Sequence, residues 1–99
     1  MSSYIVVSKW TQRPGADDGL WEIARQVRAK LREIDGIQYI SHFQSEQGGA
    51  IAIVRYRSKA DYDRIVGDPE GPFAQTIKQF ALEDFAEWQW SERGEVAAD

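Results

Sequence analysis

The sequence predicts an α+β fold of the split β-α-β-β-α-β kind called ferredoxin-like: a four-stranded antiparallel sheet with helices on one face. Three observations predict it. Runs rich in β-branched, aliphatic and aromatic residues recur at 4–10, 37–45, 50–57 and 85–90. A long amphipathic helical stripe separates the first two runs, and a helical region broken in two separates the last two. Between the second and third runs, Glu46-Gln47-Gly48-Gly49 closes a hairpin.

The first strand, 4–10, is apolar on both faces, with Ile5 and Val7 on one and Tyr4, Val6 and Trp10 on the other. Pro14-Gly15 turns the chain, and Asp17 or Asp18 is the expected cap of the first helix. That helix spans about 18–34. Leu20, Ile23, Ala24, Val27, Leu31 and Ile34 form one continuous stripe, while Arg25, Arg28, Lys30 and Arg32 lie off it. Gly36 fits the stop position.

On the second strand Ile37, Tyr39, Ser41 and Phe43 share one face, and Gln38, Ile40, His42 and Gln44 the other. On the third, Ala50, Ala52, Val54 and Tyr56 alternate with Ile51, Ile53, Arg55 and Arg57, and the small alanines leave space above the sheet. Ser58, three residues before Asp61, is the expected N-cap of a short helix. Breakers fill 67–72, and Pro72 opens another helix over about 72–82 that carries Phe73, Ile77, Phe80 and Ala81 on one face. The last strand, 85–90, places Ala86, Trp88 and Trp90 together, and polar residues 91–99 read as a frayed tail. The domain is therefore expected over 1–90, with 91–99 outside it.

The helices cover one sheet face, yet the first strand is apolar on both. An exposed face of that kind is larger than a monomer tolerates, and pairing two copies of it in a two-fold homodimer removes the exposure.

Composition bounds the function. The 99 residues are 42% hydrophobic and 28% charged, enough for one packed domain. A net charge of −4 argues against nucleic acid. No apolar run reaches the ~18 residues of a membrane span. The start, MSSYIVVSKW, lacks the basic region of a secretory leader, and a cytoplasmic location is expected. With no Cys, a single His and no phosphate-cradling loop, no metal, haem or flavin is expected.

The run Tyr56-Arg57-Ser58-Lys59-Ala60-Asp61-Tyr62, followed by Asp68-Pro69 and Phe73, resembles the antibiotic biosynthesis monooxygenase family. The likeness extends over about 4–90. It implies a dimeric α/β barrel and insertion of oxygen into an aromatic, quinol-like substrate without metal or flavin. The family's quinone-forming members use a tyrosine after the aromatic-x-Ser step, and Tyr62 matches that position; Tyr56 stands where they have Trp. Their strand Asn falls at Ala52 and their helix Arg at Gln75, so those two roles do not carry over. The haem-degrading branch needs an Asn–His–Trp set, and this chain has no Asn.

A cavity between sheet and helices would be lined by Trp10, Tyr56, Tyr62 and Phe73, the aromatic makeup of a small-molecule site, unless these are ordinary core aromatics. Tyr62 and His42 are the candidate catalytic residues; Tyr56, Phe73 and Trp10 are the candidate substrate-binding ones. His42 could serve as a base, or be solvated or at the subunit contact. Arg55 and Arg57 could bind an anion or line a wet or intersubunit surface, and Lys59, Asp61 and Asp63 read as a solvated helix face. Two functions stay open: a cofactor-independent monooxygenase acting on a small aromatic molecule with O2, or a non-catalytic dimer that binds an apolar ligand or partner.

Overall fold

The structure is a computed structural model that describes residues 2–15 and 19–97. The cap expected at Asp17 or Asp18 lies outside the described residues. The chain runs β1 (Tyr4–Gln12), α1 (Gly19–Leu31), β2 (Ile37–Gln44), β3 (Ala50–Tyr56), α2 (Lys59–Ile65), α3 (Pro72–Gln79), a 3-10 turn at Leu82–Asp84 and β4 (Ala86–Glu95). The strands form one antiparallel sheet in the order β2-β3-β1-β4. This is the ferredoxin-like arrangement that the element order predicts.

Alternation sorts the sheet into two faces. Tyr4 and Val6 of β1, Ile40 of β2, Val54 and Tyr56 of β3, and Ala86 of β4 are buried under the helices. From α1 they meet Leu20, Val27 and Leu31, the centre of the predicted stripe, with Ile23 and Ile34 packed beside them. The helix ends three residues earlier than its stripe. Arg32 N still donates to Arg28 O, but Glu33 and Ile34 switch to i→i+3 bonds, the tightening common at a helix end. Gly36 follows at φ 107, where a Cβ would stand 3.1 Å from Asp61 and 2.9 Å from the Arg64 guanidinium.

Ser58 caps α2 as its sequence position predicts. Its Oγ accepts from Asp61 N at 3.2 Å. The Asp61 carboxylate does not reach back to the cap backbone. It accepts from the Ser58 hydroxyl, from Arg57 Nε at 2.7 Å and from Arg64 Nη2 at 3.1 Å. Arg57 also bonds Asp35, so a small ion network pins the β3–α2 junction to the loop before β2.

Three expectations are corrected. The helix over 72–82 stops at Gln79, and Ala81 is an exposed left-handed residue at φ 50, off the apolar face. The tail begins too early: Ser91–Glu95 continue β4, paired with Ser8–Tyr4, and Val96 N bonds Ser3 O at 2.8 Å. Finally, Trp88 and Trp90 do not share a face. The register shifts between Lys9 and Trp10, which pair with Trp90 and Trp88 respectively. Gln89 is the extra residue of this bulge, so Trp88 turns inward with Trp10 and Trp90 turns outward with Lys9.

The outward face of the sheet carries Ile5, Val7, Ile51, Ile53, Tyr39, Phe43 and Trp90. Tyr39 and Phe43 are 54% and 50% exposed.

Candidate functional site

Ala50 and Ala52 lie beside Ser8 and Trp10 on the inner face of the sheet. No side chain on β3 at that level is long enough to reach the helices. The result is a cavity of about 320 Å3 between the sheet and α1, α2 and α3. A volume of this size takes a small aromatic molecule. Trp10, His42, Tyr56, Tyr62 and Phe73 all line it. The five residues singled out in the sequence thus meet around one space, although they come from five separate elements.

The tyrosine end is tightly built. The Tyr62 ring packs 5.0 Å from Tyr4 and edge-on to Tyr56 at 5.3 Å. The Tyr62 hydroxyl accepts from Arg93 Nη1 at 3.3 Å. Tyr56 is almost fully buried, and that burial, with Tyr62 beside it, pushes its phenol far above the usual range. It therefore stays protonated and can only be a neutral hydrogen-bonding partner.

In the middle of the floor, the Ser8 and Ser91 hydroxyls share a hydrogen bond of 2.8 Å, and Trp88 Nε1 donates to Ser91 Oγ at 2.9 Å. The opposite end belongs to β2 and α1. His42 stacks on Trp21 with ring centroids 5.4 Å apart. Its pKa is lowered, first by burial and then by the charges of Arg28 and Arg32, so at neutral pH it is an uncharged imidazole.

The structure does not bring His42 and Tyr62 together. His42 lies on the β2 edge, and the Tyr62 hydroxyl meets Arg93 on the β4 edge. Three strand spacings of ~4.8 Å put the two edges roughly 14 Å apart. The two residues would address different atoms of an elongated ligand.

Arg57 is committed to Asp61 and Asp35 at the strand–helix junction and does not line the cavity; neither does Arg55, which belongs to the outer face. Gln75, at the place of the family's helix Arg, is exposed and donates to Glu70 O. Sequence reasoning missed Trp21, Arg28, Ser8, Trp88, Ser91 and Arg93. Trp21 and Arg28 stand seven residues apart, on one helix face beside the apolar stripe, and that spacing is the signal that was there to be used. Ser91 and Arg93 were lost with the misread tail.

Among solved structures, the chain superposes on Rv0793 from Mycobacterium tuberculosis with a TM-score of 0.70 at 20% identity, covering 98% of this chain and 95% of that one. It matches SnoaB, a cofactor-independent oxygenase from Streptomyces nogalater, with a TM-score of 0.72 at 14% identity over 100% and 95% of the two chains. A protein of Bordetella bronchiseptica, provisionally named an antibiotic biosynthesis monooxygenase, gives 0.75 at 13% identity over 99% and 100%. The chain has the fold of the antibiotic biosynthesis monooxygenases. At these identities the likeness speaks of the fold alone, so what this chain does has to be argued from its own cavity. No protein-family model matches the sequence, and no curated protein does.

Proposed function

We propose that this protein is a cofactor-independent monooxygenase acting on a small aromatic or quinol-like molecule held in the inner cavity. The observation that carries the reading is that the cavity is open and reaches Tyr62, with Trp10 and Phe73 in its walls rather than filling it. SnoaB, which shares the fold, is a cofactor-independent oxygenase.

In this reading the substrate's hydroxyl lies at the tyrosine end. Arg93 places a positive charge beside the Tyr62 hydroxyl, and a cation there favours the substrate's phenolate. The substrate's own proton leaves toward solvent past the exposed Arg93 side chain. The electron-rich ring then reduces O2: one oxygen atom enters the ring as a carbonyl, and the other leaves as water with the two hydrogens lost from the substrate. Tyr62 donates to the oxygen on which negative charge develops, an interaction that strengthens along the reaction. The apolar walls keep bulk water from the intermediate. His42, roughly a sheet's width away, orients the far end of the molecule.

Two copies paired through the outer faces would bury Ile5, Val7, Ile51, Ile53, Phe43 and Trp90, giving a homodimeric barrel. Each copy keeps its own cavity.

The test is an oxygen-uptake screen with phenols and hydroquinones, followed by Tyr62→Phe. The variant keeps the ring stack with Tyr4 and Tyr56. Turnover should fall by about 10- to 1000-fold with stability little changed, the scale of one lost oxyanion contact. Uptake at wild-type rate in the variant would remove Tyr62 from the reaction.

One observation favours a second reading, a non-catalytic binder of apolar ligands. Ala52 lines the cavity where the resemblance calls for an amide, so no side chain there can hold a reacting oxygen. A probe that binds with no oxygen uptake from any phenol tried would select it.

A further inference from the structure

The middle of the cavity floor carries one hydroxyl hydrogen with nothing to bond. Ser8 of β1 and Ser91 of β4 are register partners, and their hydroxyls share a hydrogen bond of 2.8 Å. Trp88 Nε1 donates to Ser91 Oγ at 2.9 Å. Three polar hydrogens therefore meet here, one from the indole and one from each serine. Two are spent: one from Trp88 to Ser91, and one between the serines. The third is left over whichever serine donates to the other. Neither hydroxyl bonds any other of the described groups, and both line the cavity.

The register shows what this donor faces. His42, Ala52, Ser8 and Ser91 form one row across the sheet. Ala52 sets only a methyl beside Ser8, so the space opens directly over the serine pair. His42 stands two strand spacings from Ser8, roughly 10 Å, too far to accept the hydrogen. Along β4, the next residue on the inner face after Ser91 is Arg93, which holds the Tyr62 hydroxyl. Ser91 and Arg93 are roughly 7 Å apart along the strand, the span of an aromatic ring with an oxygen at each end. A ring whose hydroxyl meets Tyr62 thus brings its opposite carbon over the serines.

We propose that the Ser8–Ser91 pair is catalytic: its free hydrogen holds the oxygen atom of O2 that leaves as water, and Trp88 orients the pair. The proposal rests on the monooxygenase reading and adds the residues that act on O2. The phenolate gives its electrons to O2, and a C–O bond forms at the ring carbon over the serines. The hydroperoxide so made carries the hydrogen that the substrate hydroxyl lost, and its outer oxygen accepts the free serine hydrogen bond. When the O–O bond breaks, its electron pair goes to that outer oxygen. The growing negative charge there strengthens the contact. The electrons of the ring C–H bond become the second bond of the new carbonyl, and its proton joins the departing hydroxide as water. Both serines keep their own protons.

The experiment follows oxygen uptake with 1-naphthol, which with one O2 yields 1,4-naphthoquinone and water, and with the other phenols of the screen. Ser8→Ala leaves a free hydrogen on Ser91, and Ser91→Ala leaves one on Ser8. Only the double variant has none. Each single variant should lose less than about 10-fold in kcat, and the double variant about 100- to 1000-fold with KM within about 3-fold of the wild type. Calorimetry with anthraquinone-2-carboxamide, a planar probe of the cavity, should show binding in the double variant as in the wild type, since both partners of the serine bond are removed together. A double variant with wild-type kcat, or one altered in KM alone, would overturn the proposal and leave the monooxygenase reading standing. A single variant that loses as much as the double would overturn it too, because a free hydroxyl hydrogen remains there. A double variant that loses the probe together with turnover would make the serines structural and overturn it as well. No oxygen uptake by the wild type from 1-naphthol or any other phenol of the screen would remove the monooxygenase reading and the proposal with it.

Discussion

Ala50 and Ala52 point to one side of β3, and Ile51 and Ile53 point to the other. The inner side is hollow: two alanines, the serines of β1 and β4 and an overhead helix leave about 320 Å3 of space. The outer side is filled out to its rim by isoleucines, Tyr39, Phe43 and Trp90, and none of the described elements covers it. A seven-residue strand thus carries two designs in alternate positions. Small residues under a roof make room for a ligand, while large apolar residues without a roof make a surface for another protein. Placing one isoleucine inside would close the room, and placing one charge outside would spoil the surface.

The largest effect should come from filling the hollow side. Ala52→Phe puts a ring into existing space, so it displaces little and folding should survive. Affinity for anthraquinone-2-carboxamide should fall by more than about 30-fold, read by calorimetry. On the outer side, Ile53→Glu should weaken self-association by about 30-fold or more, the loss of one central apolar anchor. Sedimentation at micromolar concentration reads it. The wild type should run as a dimer and the variant toward the 11.3 kDa monomer. A wild type that sediments as a clean monomer would leave the outer face without the role assigned to it.

A smaller effect separates both faces from the frame that holds them. The Arg57 and Arg64 guanidinium groups, with help from the Ser58 hydroxyl, hold Asp61 at a pKa of about 2, against an ordinary 3.8. The folded pKa is the lower one, so the network's contribution is full above about pH 4 and fades as pH falls toward 2. Urea midpoints at pH 5 and pH 2.5 should therefore diverge less in Asp61→Asn than in the wild type. The smallest effect is at the cap: Ser58→Ala should cost about 0.5–2 kcal/mol, with the cavity intact. An unchanged urea midpoint would mean that the cap hydrogen bond contributes nothing.

The contrast also explains what could be read in the sequence. Alternation along β3 was legible, and with it the space above Ala50 and Ala52. The α1 stripe, the Ser58 cap and the hairpin glycines were legible too, because each is a local signal with a fixed period or position. Trp88 and Trp90 were misplaced because a bulge has no local signature here. It exists only in the pairing of β4 with β1. Ser91–Glu95 were read as a tail because an edge strand with polar side chains has the composition of a loop, and only the partner strand makes it a strand. For Arg28 the helical period shows only that it lies off the apolar stripe. Its buried nitrogen shows only once the β2 edge is packed beneath it.

The central claim is that the inner face holds the ligand site, and methyl groups on one strand can test it. A protein carrying 13C-labelled alanine and isoleucine methyls is titrated with anthraquinone-2-carboxamide and followed by 1H–13C correlation spectra. The account predicts that the methyls of Ala50 and Ala52 shift with ring-current effects while those of Ile51 and Ile53 stay in place. Shifts at Ile51 and Ile53, with Ala50 and Ala52 unmoved, would put the ligand on the outer face and contradict the account.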